Sequence, residues 1–323
     1  MRANYSGCAS VWNQSELAEL VSARDFIRWG ASRMLAADVA FGHGTDNAVD
    51  EAAYLVAHAL HFAPLLPEGF LDARLTAAEK EAVATLVEQR VTLRVPAAYL
   101  TGEAWFAGLR FAVDERVLVP RSPIAELIET RFEPWVDAPP ERILDLCTGS
   151  GCIGIACAVH LDAEVVATDI SVDALAVARE NVTAHGVDHQ VSCVQSDVYA
   201  ALDAEEFDLI VSNPPYVSAA ECAGLPAEYR AEPELGLRSG EDGLDVPLRI
   251  LAGAPRHLRP GGTLVLEVGA TGAALDAALP EGCAHWIAFE RGGDGVCQLE
   301  GAGLAAASEA AAAALATRRL DGR

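Results

Sequence analysis

Between Arg142 and Glu300 the sequence alternates strand-like apolar runs with helical stretches, and that alternation leaves few folds open. It is the pattern of a parallel sheet covered by helices on both faces. In open sheets of this kind, ligands collect outside the carboxyl ends of the strands. Four of the runs deliver a polar residue to that edge. They are Asp145 after Ile143-Leu144, Asp169 after Val165-Val166-Ala167-Thr168, Asp197 after Val191-Ser192-Cys193-Val194-Gln195-Ser196, and Asn213 after Phe207-Asp208-Leu209-Ile210-Val211-Ser212. Coincidence is a poor explanation for four such placements. Glu267, ending a fifth run, has the same position and reads as a structural acid.

The first run leads into the turn Cys147-Thr148-Gly149-Ser150-Gly151 and then into apolar Ile153-Gly154-Ile155-Ala156. Glycine lets the backbone approach a ligand closely. A helix that follows presents free N–H groups and a positive dipole end. Asp169 is placed to accept from two ribose hydroxyls, and Asp197 from an adenine amino group. Gly149, Gly151 and Gly154 also spell the G-x-G-x-x-G of nicotinamide dinucleotide sites, with an acid about 20 residues on. Two features depart from that fingerprint: the acid Asp145, and the tetrapeptide Asn213-Pro214-Pro215-Tyr216. A dehydrogenase has no evident use for either. S-adenosylmethionine does, because its ammonium can pair with carboxylates near the first strand.

The tetrapeptide reads as a clamp for a planar amide or amino nitrogen. Such a nitrogen donates its lone pair into a neighbouring π system and is a poor nucleophile until something accepts its hydrogens. The Asn213 side-chain oxygen can accept one, and a backbone carbonyl in the Pro214-Pro215 turn the other. Tyr216 offers a flat face for a planar group. A rigid turn would account for Asn-Pro alone; the glycine turn upstream is what separates the two readings.

The segments Asp145 to Gly151 and Asn213 to Tyr216 resemble the glutamine-amide methyltransferases of the HemK/PrmC class, which modify proteins of the translation machinery. Ala98 to Phe106, Asp114 to Ile124 and Leu225 to Leu237 are most similar to its PrmB-type branch. The release-factor branch typically has glycine where Cys147 stands, and Arg-Pro-Asp-Thr-Glu where this chain has Arg121-Ser122-Pro123-Ile124-Ala125-Glu126. The resemblance spans roughly Leu17 to Glu300. It implies an α/β fold: a Rossmann-like class I S-adenosylmethionine-dependent methyltransferase domain, a smaller N-terminal helical domain and a connecting β-hairpin. It further implies methyl transfer to a glutamine side-chain nitrogen of large-subunit ribosomal protein L-three. Asp145 and Cys147, Thr148, Gly149, Ser150 and Gly151 would hold the methionine end of the cofactor, Asp169 its ribose and Asp197 its adenine. Asn213, Pro214, Pro215 and Tyr216 would hold the substrate, with Asn213 also next to the cofactor. Release-factor enzymes tend to have an aromatic residue where this chain has Val198. The same reaction on a peptide chain release factor, or methylation of adenine in nucleic acid, are the alternatives.

Charge bears on that choice. A formal net charge of −24, with Lys80 as the one lysine, disfavours a stable nucleic-acid partner, since phosphate binding depends on Lys and Arg. An acidic surface attracts basic proteins, and ribosomal proteins are basic as a class. The eight cysteines contain no C-x-x-C pair, and His58 and His61 are not read as ligands, so no metal site is expected. No run approaches a membrane span and Met1 to Ser10 lacks a signal-peptide pattern, which together point to the cytoplasm.

The expected organisation is a helical substrate-recognition domain over 1–100, a hairpin linker over 101–122, a catalytic domain over 123–300 and an alanine-rich tail over 301–323, disordered or a frayed helix. Thr76 to Glu79 is a capping box opening a helix that Pro96 ends. Ser171 and Gly186 bracket another, with Leu175, Ala178 and Val182 as its buried stripe. Trp105 to Val119 reads as the hairpin. His285 to Phe289 and Val296 to Glu300 should pair antiparallel at one sheet edge.

Overall fold

The computed structural model describes residues 12–62, 64–203 and 205–321; Cys8, the Met1–Ser10 segment and the last two residues of the tail lie outside them. The chain begins with helices α1 (Gln14–Glu19), α2 (Ala23–Ala36), α3 (Ala48–Ala59) and α4 (Ala77–Leu93). Capping boxes open α2 at Ser22 and Asp25 and α4 at Thr76 and Glu79, each satisfying orphan N–H groups of the first turn. Phe26, Met34, Leu55, Val83 and Val87 fill a core between these helices. Pro96 does not end α4. The helix stops at Leu93, where Arg94 turns left-handed (φ 57°) and donates to the carbonyls of Ala37 and Asp38, and Pro96 instead opens α5 (Ala97–Thr101).

A hairpin follows, β1 (Glu103–Phe106) and β2 (Leu109–Ala112), shorter than the alternation suggested. Its end is set by Asp114, which accepts from the backbone and guanidinium of Arg116 and turns the chain toward α6 (Ile124–Glu129). Asn181 pins the hairpin down. Its amide nitrogen donates to Ala112 O (3.0 Å) and Ser150 O (2.8 Å), and its oxygen accepts from Ala112 N–H (2.7 Å), so hairpin and glycine turn are fixed to one helix.

The remaining elements are β3 (Arg142–Leu146), α7 (Cys152–Leu161), β4 (Glu164–Asp169), α8 (Val172–His185), β5 (Val191–Gln195), β6 (Phe207–Ser212), α9 (Ala219–Gly224), α10 (Glu234–Leu237), α11 (Asp245–Gly253), β7 (Leu258–Glu267), α12 (Gly272–Ala278), β8 (His285–Trp286), β9 (Val296–Glu300) and α13 (Gly301–Asp321). The strands form one sheet in the order β5-β4-β3-β6-β7-β9-β8, parallel from β5 to β7 and antiparallel at the β9 and β8 edge. Alternate residues face opposite sides, as the two-residue strand period requires. Ile143, Val165, Leu209 and Val211 enter one core with α6, α7 and the hairpin; Leu144, Val166, Ile210 and Leu264 enter another with α11 and α13. Burial on both faces explains the continuous apolar runs. The chain leaves β3 through β4 to β5, then returns to β6 on the other side of β3, and the ends of β3 and β6 therefore open at a switch point.

Over its described residues the alanine-rich tail is the helix α13 (Gly301–Asp321), packed against the domain. Leu304, Ala307 and Ala311 recur at helical spacing and are buried against α11, Ser308 donates to Ala252 O, and Arg318 pairs with Asp242 and Asp245. Alanine looked like low complexity, but its small side chain is what allows α13 to lie close to α11.

Candidate active site

Two cavities meet at the carboxyl ends of β3, β4 and β6. The first, about 210 Å³, is walled by Cys147, Gly149, Asp169, Asp197, Asn213 and Pro215 among others. The second, about 570 Å³, is walled by Asn213, Pro214, Tyr216, Arg121, Tyr229 and Glu267 among others. Asn213, Leu118 and Gly236 belong to both. Successive residues of the tetrapeptide thus serve different spaces: Pro215 the first, Pro214 and Tyr216 the second, Asn213 the boundary.

Around the first cavity, Asp169 holds its place through two backbone donors, Gly149 N–H to Oδ2 (2.9 Å) and Ser171 N–H to Oδ1 (2.9 Å). Burial pushes its carboxyl above the usual range, and those N–H groups oppose the shift. Asp197 pairs with Arg249 of α11 at 2.8 Å across the cavity wall. Exposed Ile170 supplies an apolar surface beside Asp169. Arg116 and Leu235, from the segments Asp114 to Ile124 and Leu225 to Leu237, also border this space, as does Arg249, which nothing in the sequence singled out because a helix residue far along the chain carries no local pattern.

Four expected cofactor residues stand behind the turn rather than in the cavity wall: Asp145, Thr148, Ser150 and Gly151. Asp145 is fully buried, and its Oδ2 accepts from the Thr148 hydroxyl (2.5 Å) and Gly154 N–H (2.9 Å). A side chain at Gly154 would place its Cβ 2.9 Å from that oxygen, so glycine is what permits the contact. Burial raises the Asp145 carboxyl to about 7. Asp145 therefore braces the turn from beneath through Oδ2, while its Oδ1 is buried without a hydrogen-bond partner. Cys147 takes the left-handed conformation (φ 61°), and burial pushes its thiol up, away from thiolate chemistry.

In the second cavity Tyr216 donates its hydroxyl to Glu267 Oε1 (3.3 Å) and accepts the Thr271 hydroxyl at its carbonyl (2.6 Å). Arg121 forks onto Glu232 at 2.6 and 2.8 Å and lies 5.5 Å from the centre of the Tyr229 ring. Burial alone would raise Glu232, but contacts with His43 and Arg121 outweigh it and hold the carboxyl at about 2. His43 belongs to the segment between α2 and α3, 3.6 Å from Glu232, and Glu228 accepts from Arg90, Arg94 and Ala40 N–H. The loop that follows the tetrapeptide is thereby tied to the N-terminal helices by buried ion pairs.

The Methyltransferase small domain family matches residues 131–225. A ribosomal protein uL3 glutamine methyltransferase from Bordetella pertussis is 51% identical over 272 residues, 83% of this chain and 91% of that protein. Its namesakes in Xanthomonas campestris pv. campestris (52% identity, 87% of this chain, 92% of that protein) and Xylella fastidiosa Temecula1 (51%, 93% and 96%) are alike in extent. The chain belongs to the ribosomal protein uL3 glutamine methyltransferase family.

As a member of the uL3 glutamine methyltransferase family it is an S-adenosylmethionine-dependent enzyme with the Rossmann-like class I fold. The residues fit that cofactor. The first cavity offers a carboxylate with both oxygens fixed (Asp169), a second acid (Asp197), an apolar face (Ile170) and a glycine at the close approach (Gly149).

Proposed function

We propose that the protein methylates the side-chain amide nitrogen of a glutamine in ribosomal protein uL3, the first cavity taking S-adenosylmethionine and the second the glutamine. The observation that carries this reading is Asn213 as the common wall of both cavities. In it, Asp169 accepts from the ribose hydroxyls, Asp197 faces the adenine, and the turn from Cys147 to Gly151 meets the methionine end through Cys147 and Gly149, the two of its residues in the cavity wall. When bound, S-adenosylmethionine supplies a methyl carbon made electrophilic by its positive sulfur. Asn213 accepts one amide hydrogen and the Pro214 carbonyl the other, which turns nitrogen electron density toward the methyl side. Tyr216 supports the flat carboxamide. Positioning of this kind contributes roughly 7–11 kcal/mol when two reactants are held in attack geometry.

The N-terminal helices over 1–100 recognise the substrate in this reading, the hairpin over 101–122 links them to the catalytic domain over 123–300, and the ion pairs through Glu228 and Glu232 set the angle between the parts. The acidic surface steers basic uL3 toward the second cavity. No helix among the described residues is long and apolar enough to cross a membrane, and action in the cytoplasm completes the reading. The test is mass spectrometry of purified uL3 after incubation with the enzyme and S-adenosylmethionine. One added methyl on a glutamine-containing peptide is expected; unmodified uL3, with the methyl group found on a release factor or RNA supplied in parallel reactions, contradicts the reading.

A further inference from the structure

Tyr216 is held at three points by the last residue of β7 and the chain that follows it. Its hydroxyl donates to Glu267 Oε1 at 3.3 Å and its carbonyl accepts from the Thr271 hydroxyl at 2.6 Å. Its ring edge lies on Gly269, where a Cβ would come within 2.7 Å of Cε2. The other oxygen of Glu267 accepts from the Ser122 hydroxyl, whose oxygen in turn accepts from Ile124 N–H at 3.1 Å. Sheet register pairs Ser212 with Leu266, so Glu267 stands beside Asn213 at the strand ends.

Glu267 is 4% exposed and borders the second cavity. A carboxyl group there is costly compared with an apolar residue of similar volume, and burial lifts it to about 7. What an apolar residue could not do is anchor a phenol. The phenol oxygen lies on the axis of the ring torsion, so a bond there fixes where the far end of the ring sits, and the contact with Gly269 limits how the plane turns.

Resting on the reading of Asn213 to Tyr216 as the glutamine clamp, we propose that Glu267 is a positioning residue: acting through the Tyr216 hydroxyl, it holds the ring in the place on Gly269 where the substrate carboxamide lies against it. Ser122 fixes Glu267 in turn, so the segment before α6 contributes to the clamp from outside the tetrapeptide.

The test is a double-mutant cycle of Glu267→Met and Tyr216→Phe, with Glu267→Gln as the conservative variant that keeps an acceptor oxygen. Turnover is measured at saturating S-adenosylmethionine and uL3, and cofactor affinity by calorimetry. Glu267→Met and Tyr216→Phe should each lower kcat about tenfold, the double variant should be no worse than either, Glu267→Gln should retain most activity, and cofactor Kd should stay within about twofold of wild type. Multiplying losses in the double variant, or equal losses in Met and Gln variants, overturn the proposal. A crystal structure of free Glu267→Met enzyme decides the same point without activity: a displaced or split Tyr216 ring is expected, and an unmoved ring overturns it. Wild-type enzyme that leaves uL3 unmethylated would instead sink the functional reading.

Discussion

Asn213 can sit between two cavities because β6 ends one residue before it and the Pro214-Pro215 turn prevents the strand from continuing. Replacing it with alanine should lower kcat on the order of 10²–10³ while leaving S-adenosylmethionine binding largely intact, as for the loss of one preorganised hydrogen-bonding partner. Steady-state kinetics on folded variant protein checks this; near-normal turnover would contradict the clamp. Asp169→Ala should act in the opposite way, weakening cofactor binding by about 1.5–3 kcal/mol, the range for hydrogen bonds to charged groups, as read by calorimetry. At this scale the sequence was most legible where a strand end and a rigid turn coincide, since strand ends meet at one edge by topology. It gave no sign that the next turn folds over the Asp145 side chain, because strand position alone does not say so. Gly154, read only as part of a fingerprint, is the residue that closes that turn onto Asp145.

Among the elements, the sheet followed from apolar runs and capping signals, whereas α13 was misjudged because alanine carries no amphipathic contrast. Leu304 is its largest buried side chain. Leu304→Ala should destabilise the protein by about 2–4 kcal/mol, a cavity cost measurable as a lower urea midpoint at unchanged slope. The connection between the two parts depends on Arg90, which is fully buried and reaches Glu51, Glu228 and Ala40 O. Arg90→Met would leave buried Glu51 with only the Thr45 hydroxyl and take from Glu228 one of its two arginines, and should cost about 3–5 kcal/mol. These pairings join residues far apart in sequence, so no local motif could have announced them.

For the molecule as a whole, two buried acids tie stability to pH. The folded-state value of Glu267, about 7, lies above its ordinary value of 4.5, so the protonated form is the one the fold favours. Its contribution is fully present below the unfolded value and is lost as pH rises through the folded one. Asp145 behaves alike, from 3.8 to about 7. Relative to wild type, Glu267→Gln should gain stability steadily from about pH 5 to about pH 8, seen in denaturant midpoints. The net charge of −24 makes a second whole-molecule prediction: kcat/KM for uL3 should fall as salt screens the acidic surface.

The most direct measurement is a crystal structure of the enzyme with S-adenosylhomocysteine and a uL3 peptide carrying the target glutamine. The account predicts the carboxamide nitrogen hydrogen-bonded to Asn213, its plane against Tyr216, about 3–3.5 Å from where the transferred methyl would sit. A glutamine seated elsewhere, with Asn213 turned away from it, would contradict the account.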